Sequence, residues 1–371
     1  MGYFERRELY NAHEEKRGKP LITYVTSIRQ NLMSQMANDA ISKVIEQINQ
    51  IPDDKTEIDF LIISNGGDPI VALRIINALR ERFKKISVIV LYVAFSAATI
   101  LALGADEIVM HPYSNLGPVD PQLSVFKPND NGALNQLQFG SEDIRNYIEF
   151  IRTDVGITDQ AHLITAFNSL AADVGPLPIG SSKRSQQLSL SLSTKMLETH
   201  LEDKNKAAAI AEVLNVSYYH HGYAVSRKEA KEIGLNVISP GKDLEEIMWK
   251  IWLDFCSEMR CEEAFDPISE VMNNPTAKQL LSQIPVVELP ANMATQFGQN
   301  FGAQVLQGNP LISQKSTIET TCPMAAIESY RQAYAFNSCL NIAYWREINM
   351  TLSYNITAYS KGWESNGTEE V

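Results

Sequence analysis

Three short apolar runs, IDFLIISN (58–65), ISVIVLYV (86–93) and DEIVMHP (106–112), alternate with two segments of helical spacing. Runs of this length, apolar on both alternating positions, suit strands covered on both faces. The first intervening segment, PIVALRIINALRERF (69–83), opens on proline at a helix N1 position and carries Val71, Ile75 and Leu79 along one face. The second, SAATILALG, ends on Gly104. Upstream, LITYVTS (21–27) reads as a strand, and Met36, Ala40, Ile41, Val44 and Ile48 recur at helical spacing. Strand, helix and strand with short joins predict βαβ units and an α/β fold with a parallel sheet. In such sheets reacting groups gather where strands end and helices begin.

Two of these joins carry chemistry-bearing residues. In Ser64-Asn65-Gly66-Gly67-Asp68-Pro69, two glycines leave backbone N–H groups uncovered near a helix start. Such donors favour a phosphate, a carboxylate or the oxyanion of acyl transfer, although a tight turn needs glycine just as much. At the second join Ser96 stands alone between an apolar strand and Ala97-Ala98-Thr99. Its hydroxyl would be presented by a rigid scaffold, with the Ala97 N–H alongside as an oxyanion donor. G-x-S-x-G is absent, and taken locally a helix N-cap is the better account.

Taken together, LIISNGGDPIVALRIINALR and VAFSAATILALGADEIVMHPYSNLGPVDPQL resemble the serine dehydrogenase proteinase family, soluble relatives of signal peptide peptidase A within the ClpP/crotonase fold. The likeness runs from GKPLITYVTS to Leu123. It resumes over STKMLETHLEDKNKAAAIAEVL and YAVSRKEAKEIGLNVI, and nothing is recognised beyond residue 256. It implies a ClpP/crotonase-like stacked βαβ superhelix with Ser96 as nucleophile. Gly66 and Ala97 would supply the oxyanion N–H groups, and Gly67 would shape the turn and let a substrate backbone lie close. The implied substrate is a protein or peptide, with no cofactor, and the implied assembly is a homo-oligomer.

Serine needs a base. The ClpP branch would place a histidine where Val119-Asp120 stand, and His111 lies too early. The signal peptide peptidase A branch uses a lysine from a later helix. Lys195, in SLSTKMLETHL, falls on one helical face with Leu188 and Leu192, where lost hydration would lower its pKa. Lys183, in GSSKRS, is the rival at a helix start. Asp120, in the rigid LGPVDPQ, reads as structural. His220-His221 read as solvated or structural, because neighbours in an extended segment point apart and no ligand stands at metal spacing.

The 371 residues carry a net charge of −12, which argues against nucleic acid and against anionic lipid as partners. No window has the 18 or so uninterrupted apolar residues of a membrane span, and the charged first twenty residues do not read as a signal peptide. The expectation is a cytoplasmic protein. Four cysteines without a CxxC read as free thiols and not as a metal site. The expected organisation is a polar arm (1–20), a protease domain (21–256) and a C-terminal extension (257–371) outside the catalytic core. Two other readings share the scaffold. One is a crotonase-type enzyme acting on an acyl-CoA, which would want glutamates near the reacting carbon; the other is a binding module without turnover.

Overall fold

The computed structural model describes residues 2–129, 134–216, 218, 220–282, 315–346 and 351–365. Its first half follows the alternation in the sequence. Helix α1 (Tyr3–Arg17) leads into β1 (Leu21–Thr26), α2 (Ala40–Asn49), β2 (Glu57–Ser64), α3 (Pro69–Arg82), β3 (Lys85–Ala94), α4 (Ala97–Leu103) and β4 (Glu107–Met110). Strands β1 to β4 pair in parallel, in chain order. The short β5 (Asn115–Leu116) continues beside the end of β3. A hairpin of β6 (Gln122–Pro128) and β7 (Leu134–Gly140) stands apart as its own sheet.

Helices α5 (Ser141–Thr153), α6 (Gln160–Val174), α7 (Pro176–Glu198) and α8 (Lys204–Val216) follow. Then come β8 (Val225–Ser226), α9 (Arg227–Ile233), β9 (Val237–Ile238) and α10 (Lys242–Glu258). Ser226 caps α9, its Oγ accepting the Glu229 N–H at 3.3 Å. Alternate residues of each strand face opposite cores. Phe60, Ile62, Val88 and Val90 pack with α2, α3, α4 and α7, while Leu61, Ile63, Ile89 and Leu91 pack with α1 and α10. Cover on both faces is why these strands carry apolar residues on both alternating sets of positions.

The first and last segments differ from expectation. Residues 3–17 are not a loose arm: α1 buries Tyr3, Arg6, Tyr10 and His13. Its inward face was illegible because it is polar, and its charges find partners far away in the chain. His13 Nε2 lies 2.9 Å from the Asp59 carboxylate. Arg6 donates to Glu328 at 2.7 and 3.0 Å and also to Asp254 and Glu258. Beyond α11 (Pro267–Asn273) and α12 (Pro275–Ser282) come β10 (Ser316–Glu328), β11 (Ala333–Arg346) and β12 (Leu352–Ser365). Residues 283–314 of the expected extension lie outside the described residues.

Strand β10 pairs antiparallel with β1, so the sheet runs β12-β11-β10-β1-β2-β3-β4-β9. The C-terminal strands therefore extend the parallel sheet, contrary to the expected separate extension. Their alternating polar composition hid this, because an antiparallel ribbon with one open face need not be apolar throughout.

Candidate active site

The sheet brings the two joins into contact. Ser96 has φ 51° and ψ −118°, a left-handed backbone that a side chain resists. Holding it costs about 1–3 kcal/mol, and strain of this kind collects at functional turns. The tension has visible anchors. The Phe95 N–H donates to Ser64 O at 3.0 Å, fixing the end of β3 onto the end of β2. Thr99 Oγ1 donates to Ala94 O at 2.6 Å and to Gly117 O at 2.9 Å, and accepts the Gly117 N–H at 3.0 Å. Ser96 makes no side-chain cap to its helix, so its hydroxyl is not spent on the N-cap role that local reading favoured.

Gly66 and Gly67 take φ 102° and 149°. A Cβ on Gly66 would stand 2.6 Å from Phe95 O and 2.8 Å from Ser96 Cβ, and one on Gly67 2.4 Å from Met36 O. Gly66 is thus glycine because the Ser96 turn packs directly on it. The Gly66 N–H donates to Ser64 Oγ at 3.0 Å, which occupies the donor the resemblance assigned to the oxyanion. Met36 pairs with Gly66 O and with the Asp68 N–H, so the Gly67 N–H is directed away from Met36 and has no acceptor among the described residues. The same holds for the Ala97 N–H in the first turn of α4. The Gly67 and Ala97 N–H groups thus have no acceptor among the described residues, whereas the Gly66 N–H has one.

Ser96, Gly66 and Gly67 line a cavity of about 570 Å³. The β6–β7 hairpin contributes Gln122, Leu123 and Gln138, and α7 contributes Ser185, Leu188 and Ser189. Among the described residues no lysine lines it. Lys195 is exposed on α7. The buried stripe of that helix runs through Ser189, Leu192, Ser193 and Met196, and Lys195 falls outside it. Apolar periodicity misplaced the stripe because small serines, not leucines, set half of it. Lys183 is also exposed and donates to Gln186 at 3.2 Å. His111 is buried and stacks on Trp249, outside the cavity.

Among the described residues, the titratable side chains that do line the cavity are Asp68 and His221. Asp68 caps α3, accepting the Ile70 N–H at 2.8 Å. His221 Nδ1 lies 2.9 Å from Asp120 Oδ1, a pair formed by residues 101 apart. No local pattern could have joined them; LGPVDPQ and His220-His221 both read as structural. The hydrogen bond to the Asp120 carboxylate, against opposing burial, raises the His221 pKa above the ordinary imidazole value. Among the described residues no His/Cys/Asp/Glu group could hold a metal.

Residues 6–144 match the family of ClpP-like SDH-type serine proteinases. Two uncharacterized proteins of Methanocaldococcus jannaschii, MJ0137 and MJ1495, are 29% and 25% identical over 199 and 195 residues, each match covering 53% of this chain. The matches span 58% and 56% of those relatives' own length. A serine-to-alanine mutant of the 1510-N membrane-bound stomatin-specific protease is 18% identical over 62% of this chain and 84% of its own, with a TM-score of 0.32. ClpP1 from Listeria monocytogenes is 11% identical over 64% and 98%, also at 0.32. Both superpositions are too loose to transfer any residue. Over residues 6–144, less than half of its length, this chain is similar to the ClpP-like SDH-type serine proteinases.

Proposed function

We propose that the chain is a serine peptidase, with Ser96 as nucleophile and the Gly67 and Ala97 N–H groups as oxyanion donors. The observation that carries this is the Ser96 backbone, held at φ 51° directly against Gly66 in a cavity large enough for a side chain and its scissile carbonyl. A strained strand-to-helix serine beside orphan N–H groups is the geometry of a nucleophile elbow. A Ser96/Lys195 dyad would need α7 to turn Lys195 inward; as placed, its amine faces solvent. A crotonase-type reaction would want glutamate at the reacting carbon, and no glutamate lines the cavity among the described residues.

The test is covalent labelling by a fluorophosphonate. Wild-type protein should label once per chain and cleave a general protein substrate, and Ser96→Ala should do neither with an unchanged circular dichroism spectrum. Equal labelling of the two would end the reading.

Homo-oligomerisation is part of the same proposal. Helices α5 and α6 bury no residue, yet they present Phe150, Ile164 and Phe167 at 54%, 55% and 40% exposure. Apolar area of this kind calls for a partner surface, and closed rings of identical copies are a common answer. Light scattering should give a multiple of 41.5 kDa, and a monomer at micromolar concentration would count against it. The four free cysteines support a reducing, cytoplasmic setting. No helix among the described residues is long and apolar enough to cross a membrane.

A further inference from the structure

We infer that Thr99 positions Ser96: its hydroxyl closes a ring of backbone around the serine and keeps the left-handed turn from relaxing. This rests on the reading of Ser96 as nucleophile. Thr99 is the one polar side chain of α4, whose seven residues are all buried. A buried hydroxyl needs a partner, and a helical threonine ordinarily turns back to the carbonyl three or four residues earlier. Both of those carbonyls are engaged here. Ser96 O accepts the Ile100 N–H at 3.1 Å, and Phe95 O accepts the Ala98 N–H at 2.9 Å. Thr99 reaches one residue further, to Ala94 O at 2.6 Å.

That bond spans the nucleophile. Ala94 ends β3 and Thr99 stands in the first turn of α4, so the closed ring contains Phe95, Ser96, Ala97 and Ala98. A second chain segment bolts the ring down. Thr99 shares its proton with Gly117 O at 2.9 Å, and its Oγ1 accepts the Gly117 N–H at 3.0 Å. Gly117 follows Leu116, which pairs with Ala94, and its N–H also reaches Ala94 O at 3.2 Å. A Cβ on Gly117 would stand 2.8 Å from the Phe95 ring, so the residue before Ser96 packs directly against this clasp. On the far side the Phe95 N–H is fixed to Ser64 O at 3.0 Å. Ser96 thus sits in a ring tied to β2, β3 and the segment after β5, and Thr99 is where the last two meet.

The ring matters because φ 51° is not where a serine would rest. Untied, the residue would fall back into an allowed region and carry Oγ out of register with the Gly67 and Ala97 N–H groups. Misplacing a reacting atom by about 1 Å costs about 10²-fold in rate. Thr99 is fully buried and does not line the cavity, so it acts on the reaction only through Ser96. Its side chain suits the task. Valine would fill the same space without a donor or an acceptor, whereas a hydroxyl supplies both from one atom.

The experiment measures fluorophosphonate labelling of full-length wild type, Ser96→Ala, Thr99→Val and Thr99→Ser against probe concentration, which separates binding (KI) from the chemical step (kinact). Ala94 O keeps the Gly117 N–H in Thr99→Val, so the fold should survive. In that variant kinact should fall by about 10²-fold with KI unchanged, and Thr99→Ser should restore it. Urea unfolding is the second readout. Ser96→Gly should unfold at higher urea than Ser96→Ala, and in the Thr99→Val background the two should unfold together, because the turn has already relaxed. A merely structural threonine would lower both equally and leave the difference between them. Wild-type kinact in Thr99→Val, with Ser96→Ala silent, overturns Thr99 and leaves Ser96 standing. An equal loss in Thr99→Val and Thr99→Ser assigns the effect to packing and overturns it too, as does an undiminished difference in urea. If Thr99→Val does not fold, Thr99→Cys takes its place: its thiol bonds weakly, and labelling at the wild-type rate would overturn the proposal. Labelling of Ser96→Ala at the wild-type rate removes the nucleophile and this proposal with it.

Discussion

Ending the chain at residue 258 should leave no folded protein, because the strands beyond it complete the sheet that holds Ser96. Such a truncation removes β10, which pairs with β1 from Thr23↔Glu328 to Thr26↔Ala325. Strand β1 is buried along its whole length, so its bare edge would present an apolar template for aggregation. The cut also takes away Ala325, Ala326, Ile327 and Ala333 from the two cores that sandwich the sheet.

The electrostatic loss is sharper. The Arg6 guanidinium is 1% exposed, lies 4.0 Å from the Phe255 ring centre and gives two hydrogen bonds to Glu328. Tyr10 also donates to Glu328, at 2.6 Å. Arg6 keeps Asp254 and Glu258, so losing Glu328 removes charged hydrogen bonds without leaving the guanidinium unpaired, at a cost of about 1.5–3 kcal/mol. Glu328→Ala in the full-length chain isolates that part. It should lower unfolding stability by that amount, a large share of the roughly 5–15 kcal/mol of an ordinary domain. Urea denaturation measures it. A chain ending at 258 that stays soluble, melts cooperatively and labels with fluorophosphonate would show that the C-terminal strands are dispensable.

Replacing Ser96 by glycine should give a protein that is inactive yet more stable. Loss of a serine nucleophile removes about 10⁶ in kcat. The backbone at φ 51° costs a side-chain-bearing residue about 1–3 kcal/mol, whereas glycine adopts it freely. Glycine's extra freedom in the unfolded chain returns about 0.5–1 kcal/mol of that gain. Ser96→Ala is the matched comparison, since it removes the hydroxyl and keeps the strained backbone. Both variants should be inactive, and Ser96→Gly should unfold at higher urea than Ser96→Ala. If the two unfold together, the turn stores no strain. If either retains wild-type turnover, Ser96 is not the nucleophile.

By itself the sequence determined the alternation of strands and helices from Leu21 to Met110. Those strands are covered on both faces, so burial writes itself directly into the letters as continuous apolar runs. It also determined the two turns, because φ values of 102° and 149° at Gly66 and Gly67 admit glycine alone without strain, and a residue type so constrained is visible locally. What only the tertiary structure decided depends on pairs with no local trace. Whether Gly66 or Gly67 keeps a spare N–H turned on Ser64 Oγ and on the bridge to Met36. Helix α1 looked like a solvated arm because its buried face carries Arg6 and His13, whose partners stand at Glu328 and Asp59. Lys195 looked inward because the pattern of leucines was read, while the core counts the serines of α7 equally when they are small enough to fit. His221 lines the cavity, and a carboxylate 101 residues away in the chain stands 2.9 Å from its Nδ1. Long-range pairing of this kind is set by packing geometry, which sequence periodicity, a short-range signal, does not record.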